Sequence, residues 1–106
     1  MSSSPLSPET VVRHRPGILF RDLAGEAVLL DPQAGIYFGL NEVGTRAWNL
    51  FNTGVSLGAV HESLLAEYDA SPEKIWDDLL TLVRDLLAHH LVEIAGGGEG
   101  TPLAST

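Results

Sequence analysis

Cysteine is absent, so neither a disulfide framework nor a thiolate metal site is available to this chain. Bases are scarce. Six Lys and Arg stand against fourteen Asp and Glu, a formal net charge of −8. That balance disfavours any general affinity for nucleic-acid phosphates. No apolar run approaches the roughly 18 residues that a membrane span needs. The first residues, Met1 to Pro8, are rich in Ser and Pro and lack the apolar stretch of a secretory signal. A nucleophile elbow, a phosphate-cradling glycine loop and a paired metal motif are all missing. The glycines at 96–98 and 100 have no helix after them and form no phosphate loop. Together these absences predict a soluble, cytoplasmic, non-catalytic protein with no cofactor, no membrane contact and no nucleic-acid partner.

What is present fits one small domain. The chain has 106 residues, 44% of them hydrophobic, which is enough for a modest core. The charge is uneven. Residues 1–60 carry five acids and four bases, whereas His61 to Glu93 carries eight acids and only Lys74 and Arg84. A charged partner should therefore be basic where it meets the C-terminal half. Residues 1–15 read as a disordered N-terminal tail and residues 96–106, beginning with glycines, as a disordered C-terminal tail. The folded domain is expected over residues 16–95.

Three short apolar runs open that domain: Ile18–Leu23, Ala27–Leu30 and Ile36–Leu40. Each is too short for a helix and is bounded by turn residues, so strands are predicted. The short connections imply a three-stranded antiparallel meander. Pro32 presets a turn, and Gly35 can take the positive φ that returns the chain to a strand. Three helices follow. Asn41 caps the first, from Glu42 to about Asn52, which Asn52-Thr53-Gly54 closes. Ser56 caps the second. Ser71-Pro72-Glu73 starts the third, which should run to about His90. The fold class is α+β, a meander followed by three α-helices.

The histidines offer little chemistry. His89 and His90 are adjacent on a helix, so their side chains diverge by about 100° and suit a helix C-terminus better than joint ligation. His61 reads as a satisfied, half-buried side chain beside the apolar stripe of the second helix. Trp48 reads as core.

Binding is better supported. The strand Ile36-Tyr37-Phe38-Gly39-Leu40 is last in the meander, so it should lie at a sheet edge with unpaired backbone groups. Such an edge can capture an extended peptide by strand addition. Gly39 would leave room for a peptide side chain, or would simply mark a strand end. On the third helix, Ile75, Leu79, Leu82, Val83 and Leu86 form one stripe that suffices for packing. Trp76, Leu80 and Leu87 form a second stripe about 100° away. It either widens the buried face or lines a groove left open for a partner. Asp77, Asp78, Asp85 and Glu73 flank these stripes, as a solvated face or as partners for basic residues of a peptide. Under the peptide reading, Trp76, Leu80, Val83 and Leu87 supply most of the binding energy, with Asp78 and Asp85 tuning encounter.

The stretch from Leu29 to Trp48 resembles the PqqD family. Its hairpin-to-helix pattern is matched here by Asp31, Gly35, Tyr37, Leu40, Asn41, Gly44 and Trp48. The segment Leu64 to Asp69 and the long third helix look like the family's second half, so the resemblance covers about residues 16–95. It implies a winged-helix-like domain known as a RiPP recognition element. Such domains bind the leader segment of a ribosomally made precursor peptide on the third strand and third helix. They deliver it to a modifying enzyme: a leader peptidase, a cyclase or a radical SAM protein. The style of hairpin points toward a lasso-peptide or related pathway. The alternative on the same fold is a winged-helix DNA-binding transcriptional regulator, which would need a basic recognition helix. Residues 71–90 instead hold four acids and two bases.

Overall fold

The computed structural model describes residues 6–24 and 26–96. The chain begins with strand β1 (Val11–His14) and then forms β2 (Leu19–Leu23), β3 (Glu26–Asp31) and β4 (Ile36–Leu40). Helices α1 (Glu42–Phe51), α2 (Leu57–Glu67) and α3 (Pro72–Ala88) follow, and β5 (Val92–Gly96) ends the described chain. Strands β2, β3 and β4 form the expected antiparallel meander, in that order across the sheet. The turn after β3 closes as its residues require. Gly35 takes φ 70° and donates its N–H to the Asp31 carbonyl. The Asp31 carboxylate accepts from the N–H groups of Gln33 and Ala34.

Each helix starts on the predicted cap. Asn41 Oδ1 accepts from the Gly44 N–H at 2.8 Å, Ser56 Oγ from Ala59, and Ser71 Oγ from Lys74. Pro72 opens α3, where a missing N–H costs nothing. The last helix stops slightly short of His90. His89 is its C-cap, with Nδ1–H donating to the Asp85 carbonyl at 2.8 Å, and His90 turns the chain with φ 58°.

The expected N-terminal tail is corrected. Val12 is fully buried, and β1 pairs antiparallel with β5, placing Val12 opposite Ile94 and His14 opposite Val92. The Leu57 N–H donates to the Thr10 carbonyl and the Gly58 N–H to the Pro8 carbonyl. A Cβ on Gly58 would stand only 3.2 Å from that carbonyl oxygen, so glycine permits the close approach. The folded unit therefore starts before residue 16. Its far end also shifts, since Gly96 belongs to β5; residues 1–5 and 97–106 of the two expected tails lie outside the described residues.

The core lies where all three helices meet the inner face of the meander. Trp48 and Phe51 of α1, Leu57 and Leu64 of α2, and Leu79, Val83 and Leu86 of α3 are buried with Leu29 and Leu40 of the sheet. A buried polar contact joins sheet to helix. Thr45 Oγ1 of α1 accepts from the Ala27 N–H of β3 at 3.0 Å. Arg46 clamps α1 to α2 through both carboxylate oxygens of Glu67, and that pairing raises its already high pKa. His14 of β1 stacks on Trp48, with ring centroids 3.6 Å apart, and donates Nε2–H to the Trp48 carbonyl. Burial pushes the His14 pKa below its ordinary value, and the carbonyl bond opposes the shift only in part. Among the described residues no helix is long and apolar enough to cross a membrane.

Candidate functional site

Strand β4 occupies one edge of the meander, so its outer row of backbone N–H and C=O groups faces no other strand among the described residues. What distinguishes this edge is its neighbour. The capping geometry at Asn41 turns the chain directly from β4 into α1. The packing of α1 and α2 then brings α3 alongside β4. Between strand and helix lies a groove of about 360 Å³.

The groove has an apolar floor and a polar wall. Leu40, Val43, Ala47, Leu64, Leu79 and Leu82 form its floor, drawn from β4 and all three helices. Phe38 and Gly39 stand on the strand side. Asp78, Thr81 and Asp85 stand on the α3 side, with Asn41 at the strand end. Both charged side chains in the lining are acids. Phe38 is held by an edge-on contact with His89, ring centroids 5.4 Å apart, so the last turn of α3 closes that end. Among the described residues, no three His, Asp or Glu side chains converge as a metal site.

Five of the site residues expected from the sequence therefore come together here: Phe38, Gly39, Leu40, Asp78 and Asp85. Ile36 shares the inner face of β4 with Phe38 and is half-buried against the core. Tyr37 points to the outer face and is 70% exposed. A Cβ on Gly39 would meet nothing within 4 Å, so open space surrounds that position.

Besides Ile36 and Tyr37, four expected residues of α3 do not line the groove. Val83 is fully buried in the core and has no surface to offer a partner. Trp76, Leu80 and Leu87 lie on the opposite flank of the α3 core stripe and pack partly against the core. Trp76 meets His61 of α2 edge-on at 5.2 Å, and His61 donates Nε2–H to the Pro72 carbonyl. The second apolar stripe thus packs partly against the core, with Trp76 at the α2–α3 contact. Groove residues not expected as contacts from the sequence are Thr81 on the wall and Val43, Gly44, Ala47, Leu64, Leu79 and Leu82 on the floor. A signal for the wall does exist. Asp78, Leu82, Asp85 and His89 recur at i, i+4, i+7 and i+11, which is one helix face.

Comparison with known proteins places the fold. A solved structure described as TbiB1 in complex with the TbiA(beta) leader peptide matches with a TM-score of 0.70 and 31% identity, covering 76% of this chain and 94% of that one. A lasso peptide synthetase B1 complexed with the leader peptide matches with a TM-score of 0.70 and 26% identity, covering 78% and 98%. Among curated proteins no match is found. The family model for coenzyme PQQ synthesis protein D matches residues 26–92, well over half of the sequence. The chain belongs to the PqqD family.

Proposed function

We propose that this protein is a non-catalytic recognition element for the leader segment of a ribosomally synthesised precursor peptide, in a lasso-peptide or related pathway. The leader lies in the β4–α3 groove. Its backbone pairs with the open edge of β4 as a fourth strand, and its inward side chains enter the apolar floor. The observation that carries this reading is the open strand edge walled by a helix, in a chain that is 31% identical to a protein solved with a leader peptide.

The chemistry of the groove supports each part. A strand edge offers regularly spaced donors and acceptors, which bind any extended backbone and so give affinity without reading sequence. Each added hydrogen bond contributes only about 0.5–1.5 kcal/mol net, so the apolar floor supplies much of the rest. Delivery to a separate enzyme is part of this reading. The protein holds the leader while a separate enzyme acts on the precursor: a leader peptidase, a cyclase or a radical SAM protein. A DNA-binding role has nothing comparable to support it, because the charged side chains lining the groove are both acids.

Calorimetric titration of the full chain with the leader of its cognate precursor, and separately with duplex DNA at low and high salt, tests the proposal. Saturable one-to-one binding of the leader, with no change in its mass, is expected. Binding of DNA but not leader would overturn it.

A further inference from the structure

Two acids stand on the groove wall, and the structure treats them differently. Asp78 is already paired. Lys74, one turn earlier on α3, places Nζ 3.1 Å from Oδ2 and 3.4 Å from Oδ1. Asp85 is engaged through its main chain alone, its carbonyl accepting from the N–H and the Nδ1–H of His89. Its carboxylate meets no donor among the described residues. A second feature sets Asp85 apart. It lies four residues from the C-cap of α3, near the negative end of the helix dipole. Folding alone does not favour an acid there, and a local conflict of this kind is expected where a residue serves a ligand.

Resting on the groove reading above, we infer that Asp85 is the residue that selects a basic side chain in the bound peptide, and that Asp78 is not. The occupant is an extended peptide carrying a Lys or Arg two residues from an apolar side chain. The spacing follows from the wall. Leu82, part of the apolar floor, is three residues before Asp85, about 4.5 Å along the helix axis. On an added strand, side chains two residues apart share a face and stand about 6.7 Å apart. One such side chain packs on Leu82, and its neighbour on the same face reaches Asp85. A cation at Asp78 would first have to displace Lys74. The groove lining contains no base that could satisfy Asp85 in place of the peptide.

Selection from a library of short random peptides displayed on phage, with the full chain as bait, tests this. Peptides that compete for the groove and shift backbone amides over 36–40 and 78–85 should be enriched in Lys or Arg two positions from an apolar residue. For a synthetic peptide from that pool, D85N should weaken binding about five- to tenfold, and D78N by less than about twofold. D85K should reverse the preference toward Asp and Glu at the same position. Circular dichroism should show all three variants folded, since position 85 is exposed and D85N relieves the dipole conflict. Groove-bound peptides without basic enrichment, or enrichment that survives D85N, would overturn the assignment of Asp85 while leaving the groove reading in place. Peptides that bind without shifting groove amides would overturn both.

Discussion

Helix α3 has two flanks beside its core stripe, and they have different fates. On one, Trp76, Leu80 and Leu87 are half-buried, and Trp76 packs edge-on against His61 of α2. On the other, Asp78, Leu82 and Asp85 face β4 across an open groove. The more apolar flank is the one that packing consumes. The flank left open is mixed, with Leu82 between two acids. The sheet repeats the lesson. Strands β2 and β4 are both edges, and β2 is exposed along its whole length. Among the described residues, only the β4 edge is flanked by a helix wall with an apolar floor between, and it is the edge to which the proposed function assigns the peptide.

The largest effect should come from removing what both flanks rest on. Trp48 is buried at the centre of the core and carries the stacked His14. Truncating such a ring costs about 3–5 kcal/mol. A domain of this size has only about 5 kcal/mol to lose. Trp48→Ala should be largely unfolded in a thermal melt followed by circular dichroism. A well-folded variant that had merely lost peptide binding would move Trp48 from core to contact.

The flanks themselves can be set against each other. Leu82→Ala and Leu80→Ala remove the same atoms from comparable half-buried positions, so both should lower the melting temperature. Only Leu82→Ala should weaken leader binding, by about tenfold, which corresponds to the roughly 1.4 kcal/mol expected from the apolar area lost. Equal losses of affinity in titration calorimetry would erase the distinction between the flanks. A smaller effect is expected on the strand side. Gly39 has an ordinary φ and open space around it, and its missing side chain points to the outer face, away from α3. Gly39→Val should keep the fold, as strand propensity favours, and weaken the leader by about threefold through crowding of the strand edge. Unfolding of this variant would make Gly39 structural.

Much of this was legible in the sequence because it is local. The three meander strands, Gly35 in its turn, and the caps Asn41, Ser56 and Ser71 all follow from residues within a few positions of one another. Strand β1 was not legible. Its four residues sit in a Ser- and Pro-rich context, and its partner β5 lies about 80 positions later, beyond the reach of any periodicity. The groove was half legible. The edge position of β4 follows from its being last in the meander. Which flank of α3 it meets depends on how α1 and α2 pack, and a hydrophobic stripe carries no information about handedness. Trp76, Leu80 and Leu87 read as a contact surface for that reason, whereas the burial of Val83 was already implied by its helical spacing with Ile75, Leu79 and Leu86 in the packing stripe.

The smallest predicted effect concerns His14 of β1, outside the groove lining. His14 is neutral in the folded chain, with its pKa held below 6.5 by burial. The unfolded chain therefore binds more protons between that depressed value and 6.5. Stability from this group is complete above about pH 6.5 and is lost as pH falls below it. The wild-type melting temperature should drop more on acidification from about pH 7 to about pH 5 than that of His14→Gln. Parallel slopes for the two proteins would show that burial of His14 is not linked to protonation.

The central claim is that a leader occupies one flank of α3 and one edge of the sheet. Backbone amide shifts of the isotopically labelled full chain, recorded as its cognate leader is added, test this most directly. The largest shifts are expected in Ile36–Leu40 and at Asp78, Thr81, Leu82 and Asp85, with little change at Trp76, Leu80 and Leu87 or along β2. Shifts centred on the Trp76 flank, or on β2 with β4 unmoved, would contradict it.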